Sequence, residues 1–93
     1  MADAEDLAAL PNLGKVSAQW LLEADIRDFE QLRQLGAVRA WLQVKHNSST
    51  RPSLNLLYAL QGAIDNCHWQ QVQKQQRQRL LLELEALEET LKF

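Results

Sequence analysis

Leu54-Asn55-Leu56-Leu57-Tyr58-Ala59-Leu60-Gln61-Gly62-Ala63-Ile64 decides how this chain folds. Apart from Asn55, Gln61 and the Tyr58 hydroxyl, every side chain in the run is apolar, and the apolar positions do not alternate as a half-buried strand would. A helix greasy nearly all round has no face to give to water, so it belongs at the centre of the molecule with other helices packed on it. Pro52 closes the preceding polar loop, His46-Asn47-Ser48-Ser49-Thr50-Arg51-Pro52, and Ser53 stands where a helix N-cap is expected. Asn55 is expected to satisfy a backbone group of that loop, because a buried amide without a partner costs about 1–3 kcal/mol.

Outward from this rod the chain is punctuated by Pro11, Gly14, Gly36, Pro52 and Gly62, and the segments between them carry helical periodicity. A short opening helix is expected over Asp3 to Leu10, its acids at the positive end of the helix dipole, stopping before Pro11. A second runs from Gly14 to Ala24, with Val16, Trp20 and Leu21 as its apolar stripe behind Leu13. Asp28 is the expected N-cap of a third, ending at Leu35, with Gly36 as its terminating residue. A fourth covers Ala37 to about His46 with Val38, Trp41 and Leu42 inward. After a break at Asp65-Asn66-Cys67-His68, the last runs to about Leu91, with Leu80, Leu84, Leu87 and Leu91 at four-three-four spacing. No stretch alternates long enough for a strand. The expected fold is all-α: one compact bundle of five to six helices over residues 1–93, built around a central buried helix.

Ninety-three residues and a 46% hydrophobic content suffice for one core, although a domain of this size buries only roughly 60–65% of its unfolded surface. With an acidic N-terminus and no long apolar run, neither a secretory leader nor a membrane span is expected. The single cysteine, Cys67, forms no internal disulfide, which fits a cytoplasmic protein. The formal net charge is −2, an unpromising balance for a strong grip on nucleic acid. Its distribution is uneven. From Met1 to Glu30 seven acids face Lys15 and Arg27, whereas Gln31 to Leu56 holds Arg33, Arg39, Lys45 and Arg51 with no acid. Those four are a candidate basic patch.

Chemistry-bearing constellations are missing. Cys67 and His68 are neighbours, and neighbours in a chain rarely aim at each other. No second thiol and no orienting third group accompanies them, so neither a structural zinc site nor a nucleophile pair is expected. Trp20, Trp41 and Trp69 fall in three different segments, and core packing is the expectation for them over a base-stacking platform. No catalytic residue, metal, cofactor or small-molecule substrate is expected.

The most specific local signal is Leu10-Pro11-Asn12-Leu13-Gly14-Lys15-Val16-Ser17-Ala18. A tight Pro-x-hydrophobic-Gly turn between two helices, followed by a basic residue, resembles a helix-hairpin-helix motif over about residues 3–24. In that motif the turn's N–H groups and the following helix start hold a DNA phosphate. A helix N-terminus offers unpaired donors and partial positive charge, and Lys15 adds a full one. Asn12, Leu13, Gly14 and Lys15 are the candidate contacts. Asn12 replaces the motif's first glycine, a position where asparagine tolerates positive φ. The same turn serves equally as a way of seating two helices at a steep angle.

Four blocks in register carry a longer resemblance: Leu10–Lys15, Leu32-Arg33-Gln34-Leu35-Gly36-Ala37-Val38, Leu54–Ala63 and Cys67-His68-Trp69. Together they look like the C-terminal domain of the TfoX/Sxy family of bacterial competence regulators. The family's separate N-terminal domain has no counterpart in these residues. The resemblance implies a non-enzymatic binding module that helps switch on DNA-uptake genes at promoters with the cyclic-AMP receptor protein, through protein contacts and weak nonspecific DNA contact. The alternative reading is a stand-alone protein–protein or dimerisation module, its candidate interface being Leu80, Leu84, Leu87 and Leu91.

Overall fold

The computed structural model describes residues 7–48 and 50–90, and all their regular structure is helical. In chain order the helices are α1 (Lys15–Glu23), α2 (Phe29–Leu35), α3 (Ala37–Asn47), α4 (Leu54–Asp65) and α5 (Trp69–Thr90). Ahead of them Leu7 and Ala8 are helical, and the chain then turns through Ala9–Asn12. The rest of the expected opening helix, Asp3–Asp6, lies outside the described residues.

The helix α4 is the central rod. It packs against α2, α3 and above all α5, and α3 in turn meets α1, α2 and α5. Leu56, Leu57, Tyr58, Ala59, Leu60, Gly62 and Ala63 are buried, whereas the ends of the rod emerge, Leu54 exposed and Ile64 half-buried. Leu7, Leu21, Ile26, Leu32, Val38 and Leu80 complete the same core. Among the described residues no polar or charged side chain is buried.

Helix ends follow from single residues. The Asp28 carboxylate accepts the Gln31 N–H at 2.8 Å, holding the first turn of α2. Gly36, at φ 83° and ψ 159°, ends α2 and starts α3 in one step, a conformation close to glycine-only. Two further helices end in Schellman turns around left-handed residues. At the end of α1, Asp25 has φ 66° and the Ile26 N–H returns to the Leu21 carbonyl at 2.8 Å. At the end of α4, Asn66 has φ 58° and the Cys67 N–H returns to the Gly62 carbonyl at 2.9 Å.

Three expectations are corrected. Val16 is 62% exposed and Trp20 only half-buried, because the buried side of α1 is Ala18 and Leu21. At about 100° per residue Val16 stands nearly opposite Ala18, so the supposed stripe joined two faces. Asn55 is exposed and, among the described residues, bonds no loop backbone; there the Trp41 indole N–H donates to the Ser53 carbonyl at 2.9 Å. Ser53 occupies the N-cap of α4 with extended backbone, but its hydroxyl makes no capping bond.

Candidate functional site

The turn from Leu10 to Lys15 is built by division of labour. Successive backbone bonds, Leu10 N–H to Leu7 O at 3.1 Å and Leu13 N–H to Leu10 O at 3.2 Å, coil the chain tightly. The Leu13 side chain drops into the core, so of the four candidate contacts it offers only its backbone. Asn12 adopts φ 69°, the left-handed conformation its replacement of a glycine anticipates.

The Asn12 amide points inward. Its Nδ2 donates to the Cys67 carbonyl at 2.8 Å, and its Oδ1 accepts the Trp69 N–H at 3.0 Å. Trp69 opens α5, so Asn12 satisfies one of the donors every helix start leaves unpaired, from a position 57 residues earlier in the chain. The His68 Nδ1 accepts the next N–H but one, that of Gln70, at 3.1 Å. Gly62 completes the arrangement. A Cβ there would collide with the Asn12 Nδ2 and lie 2.6 Å from the Cys67 carbonyl oxygen. Asn12, Gly62 and the Cys67–Trp69 junction therefore form a latch between the N-terminal turn and the α4–α5 corner. Sequence reasoning missed it. The available signals were an asparagine where a glycine is usual, and a glycine inside a greasy helix, where it costs about 1 kcal/mol against alanine without a packing reason.

On the outer side of the turn the start of α1 is open. Gly14 is its N-cap with no side-chain capping bond, the first turn contains no acid, and Gly14, Lys15 and Val16 are all exposed. No atom would lie within 4 Å of a Cβ on Gly14, so the backbone there is accessible. The acids nearby in sequence are largely occupied. Asp25 pairs with Arg27 at 2.8 Å, Asp28 caps α2, and Glu30 pairs with Arg33 at 2.6 Å. The hydrogen bond from Arg33 holds the Glu30 carboxyl below its ordinary range, and Glu30 in return raises Arg33.

The four basic residues sit on three different segments. Arg33 on α2 is spoken for by Glu30, and Lys45 on α3 bonds Glu88 at 3.1 Å while lying 5.6 Å from the centre of the Trp41 ring. Arg39 lies on the other flank of α3, beside Gln43 and Leu35, and Arg51 is in the loop before α4. The leucine stripe is also used internally. Leu80 and Leu84 are buried in the chain's own core and Leu87 packs at its edge; Leu91 lies outside the described residues. The described part of the stripe, a candidate interface in the alternative reading, is thus the seam that attaches α5 to the bundle; a four-three-four pattern suits either use equally. Cys67 is half-buried with a free thiol, and His68 stacks on Trp69 with ring centres 5.8 Å apart. Among the described residues no group of three or more His, Cys, Asp or Glu converges as a metal site would require.

With this geometry in view, the TfoX C-terminal domain matches residues 3–84. The chain belongs to that family. The four blocks that resemble the TfoX C-terminal domain fall on the Pro11–Gly14 turn, the α2–α3 junction at Gly36, the rod α4 and the α4–α5 corner. They are the turns and core of the domain, and three of them supply the parts of the Asn12 latch. A similar structure is the crystal structure of an uncharacterized protein from Listeria monocytogenes, 33% identical, aligned over 88% of this chain and 92% of that one with a TM-score of 0.75. No curated protein matches the chain. No helix among the described residues of this TfoX-type domain is long and apolar enough to cross a membrane.

Proposed function

We propose that the domain is a non-enzymatic binding module that contributes to transcription regulation of DNA-uptake genes, touching DNA phosphate through the start of α1 and a regulator protein through its remaining surface. Membership of the TfoX family supports the regulatory context. The observation that carries the DNA contact is the N-terminus of α1, where Gly14 offers no capping side chain, the first turn holds no acid, and Gly14 and Lys15 are exposed. Backbone donors at such an end, aided by the helix dipole and the Lys15 ammonium, suit one phosphate group. Phosphate carries no sequence, so the module adds affinity and position while specificity comes from its partner. Asn12 takes no part in this contact, its amide being held by the latch.

A duplex titration tests the reading. Binding is expected at low salt in the nonspecific range, with Kd of about 10⁻⁴ M or weaker and a shallow slope of about −0.9 per phosphate neutralised. Lys15→Glu should weaken it on every duplex alike without lowering thermal stability, since Lys15 is exposed. No measurable binding of the unmodified domain at low salt, or an unchanged affinity in the variant, overturns the phosphate contact.

A further inference from the structure

Helix α5 carries a largely exposed face that the core of the described residues does not cover. Leu82 is 59% exposed and Leu81 half-buried, and together with Lys74, Arg77, Gln78 and Glu85 they line a shallow groove along the helix. Arg77 and Leu81 border the seam of Leu80 and Leu84 that attaches α5 to the core, and Leu82 stands well away from it. The polar residues of the face are sorted by sign. Lys74 and Arg77 lie on its N-terminal half, Glu85 and Glu89 on its C-terminal half, with the leucines between them. Among the described residues no ion pair within the chain uses any of these four charges.

We infer that this face is a self-association surface that takes the same face of a second copy in antiparallel orientation. The argument is positional. At about 1.5 Å of rise per residue, Lys74 and Glu89 stand equally far, about 11 Å, on either side of a point between Leu81 and Leu82. Arg77 and Glu85 stand about 5–7 Å on either side of the same point. A two-fold axis through that point lays leucine on leucine at the centre. It also sets Lys74 against Glu89 and Arg77 against Glu85, twice each. A parallel arrangement would instead oppose like charges along the whole seam. Antisymmetric charge about an apolar centre is the self-complementarity an isologous contact requires. One helix face is less than the roughly 1,200 Å² of a stable interface, so the dimer is weak and concentration-dependent.

Sedimentation equilibrium of the whole chain across concentrations provides the test, with circular dichroism as the check on folding. The unmodified chain should dimerise with a Kd of about 10 μM to 1 mM, weakened by salt. Leu82→Asp should abolish association while leaving the melting curve nearly unchanged, since the side chain is largely exposed. Lys74→Glu should weaken the dimer, and adding Glu89→Lys to the same chain should restore it, because in the antiparallel pair each changed residue meets the other. A chain monomeric up to millimolar concentration overturns the proposal, even if the face then captures a different protein. So does a dimer indifferent to Leu82→Asp, or a double variant weaker than the single one. Loss of DNA binding by Lys15→Glu leaves this surface untouched, so the two readings fail separately.

Discussion

Asn12 concentrates three demands in one residue: a left-handed backbone, a donor for the Cys67 carbonyl and an acceptor for the Trp69 N–H. Each neutral hydrogen bond contributes about 0.5–1.5 kcal/mol net. Asn12→Gly, which supplies the hairpin motif's usual residue and keeps the backbone relaxed, should therefore destabilise the domain by about 1–3 kcal/mol in urea denaturation. Asn12→Ala should cost more, because it adds backbone strain to the same two losses. Helix propensity alone would favour Gly62→Ala by about 1 kcal/mol. The clash with Asn12 and the Cys67 carbonyl should reverse the sign and destabilise. Combined with Asn12→Gly, part of that penalty should vanish, giving a non-additive cycle as expected of residues in contact. An additive cycle would show that the two do not share a site.

For the helices as units, the caps differ in kind although their sequences look alike. Asp28 and Ser53 are both good N-cap residues preceding apolar runs, but only Asp28 bonds its helix through the side chain. Asp28→Ala should cost about 1 kcal/mol, and Ser53→Ala close to nothing, measured by the same denaturation. What secures the start of α4 is the Ser53 carbonyl, held by the Trp41 indole from α3. The start of α5 is secured likewise from a distance, by Asn12, and locally by His68. At the start of α5 a tertiary contact does the capping that a short peptide would require of its own side chain.

At the scale of the whole molecule, α5 has two sides with opposite duties. Leu80 is fully buried against the bundle, whereas Leu82, two residues on, is mostly in water. Leu80→Ala should destabilise by about 2–5 kcal/mol, a large share of the roughly 5–10 kcal/mol available to a small domain. Leu82→Ala should stay within about 0.5 kcal/mol in the monomer. Thermal denaturation at low protein concentration separates these effects from any contribution of self-association. The acids also resolve at this scale. Asp25, Asp28 and Glu30 are engaged with Arg27, the α2 backbone and Arg33, whereas Glu23 at the far end of α1 is exposed.

Helix class, the order of the helices and the central rod were legible in the residues, because they rest on local chemistry. Asp28, Gly36 and Pro52 act on their immediate neighbours, and an apolar run such as Leu54–Ile64 has nowhere to go but the interior. Which face of α1 is buried, whether the α5 leucines meet their own core or another chain, and what Asn12 and Gly62 are for were decided only on folding. Those questions turn on partners distant in sequence. A periodic pattern names a face without naming what covers it, and a hydrogen bond across 57 residues leaves no local trace.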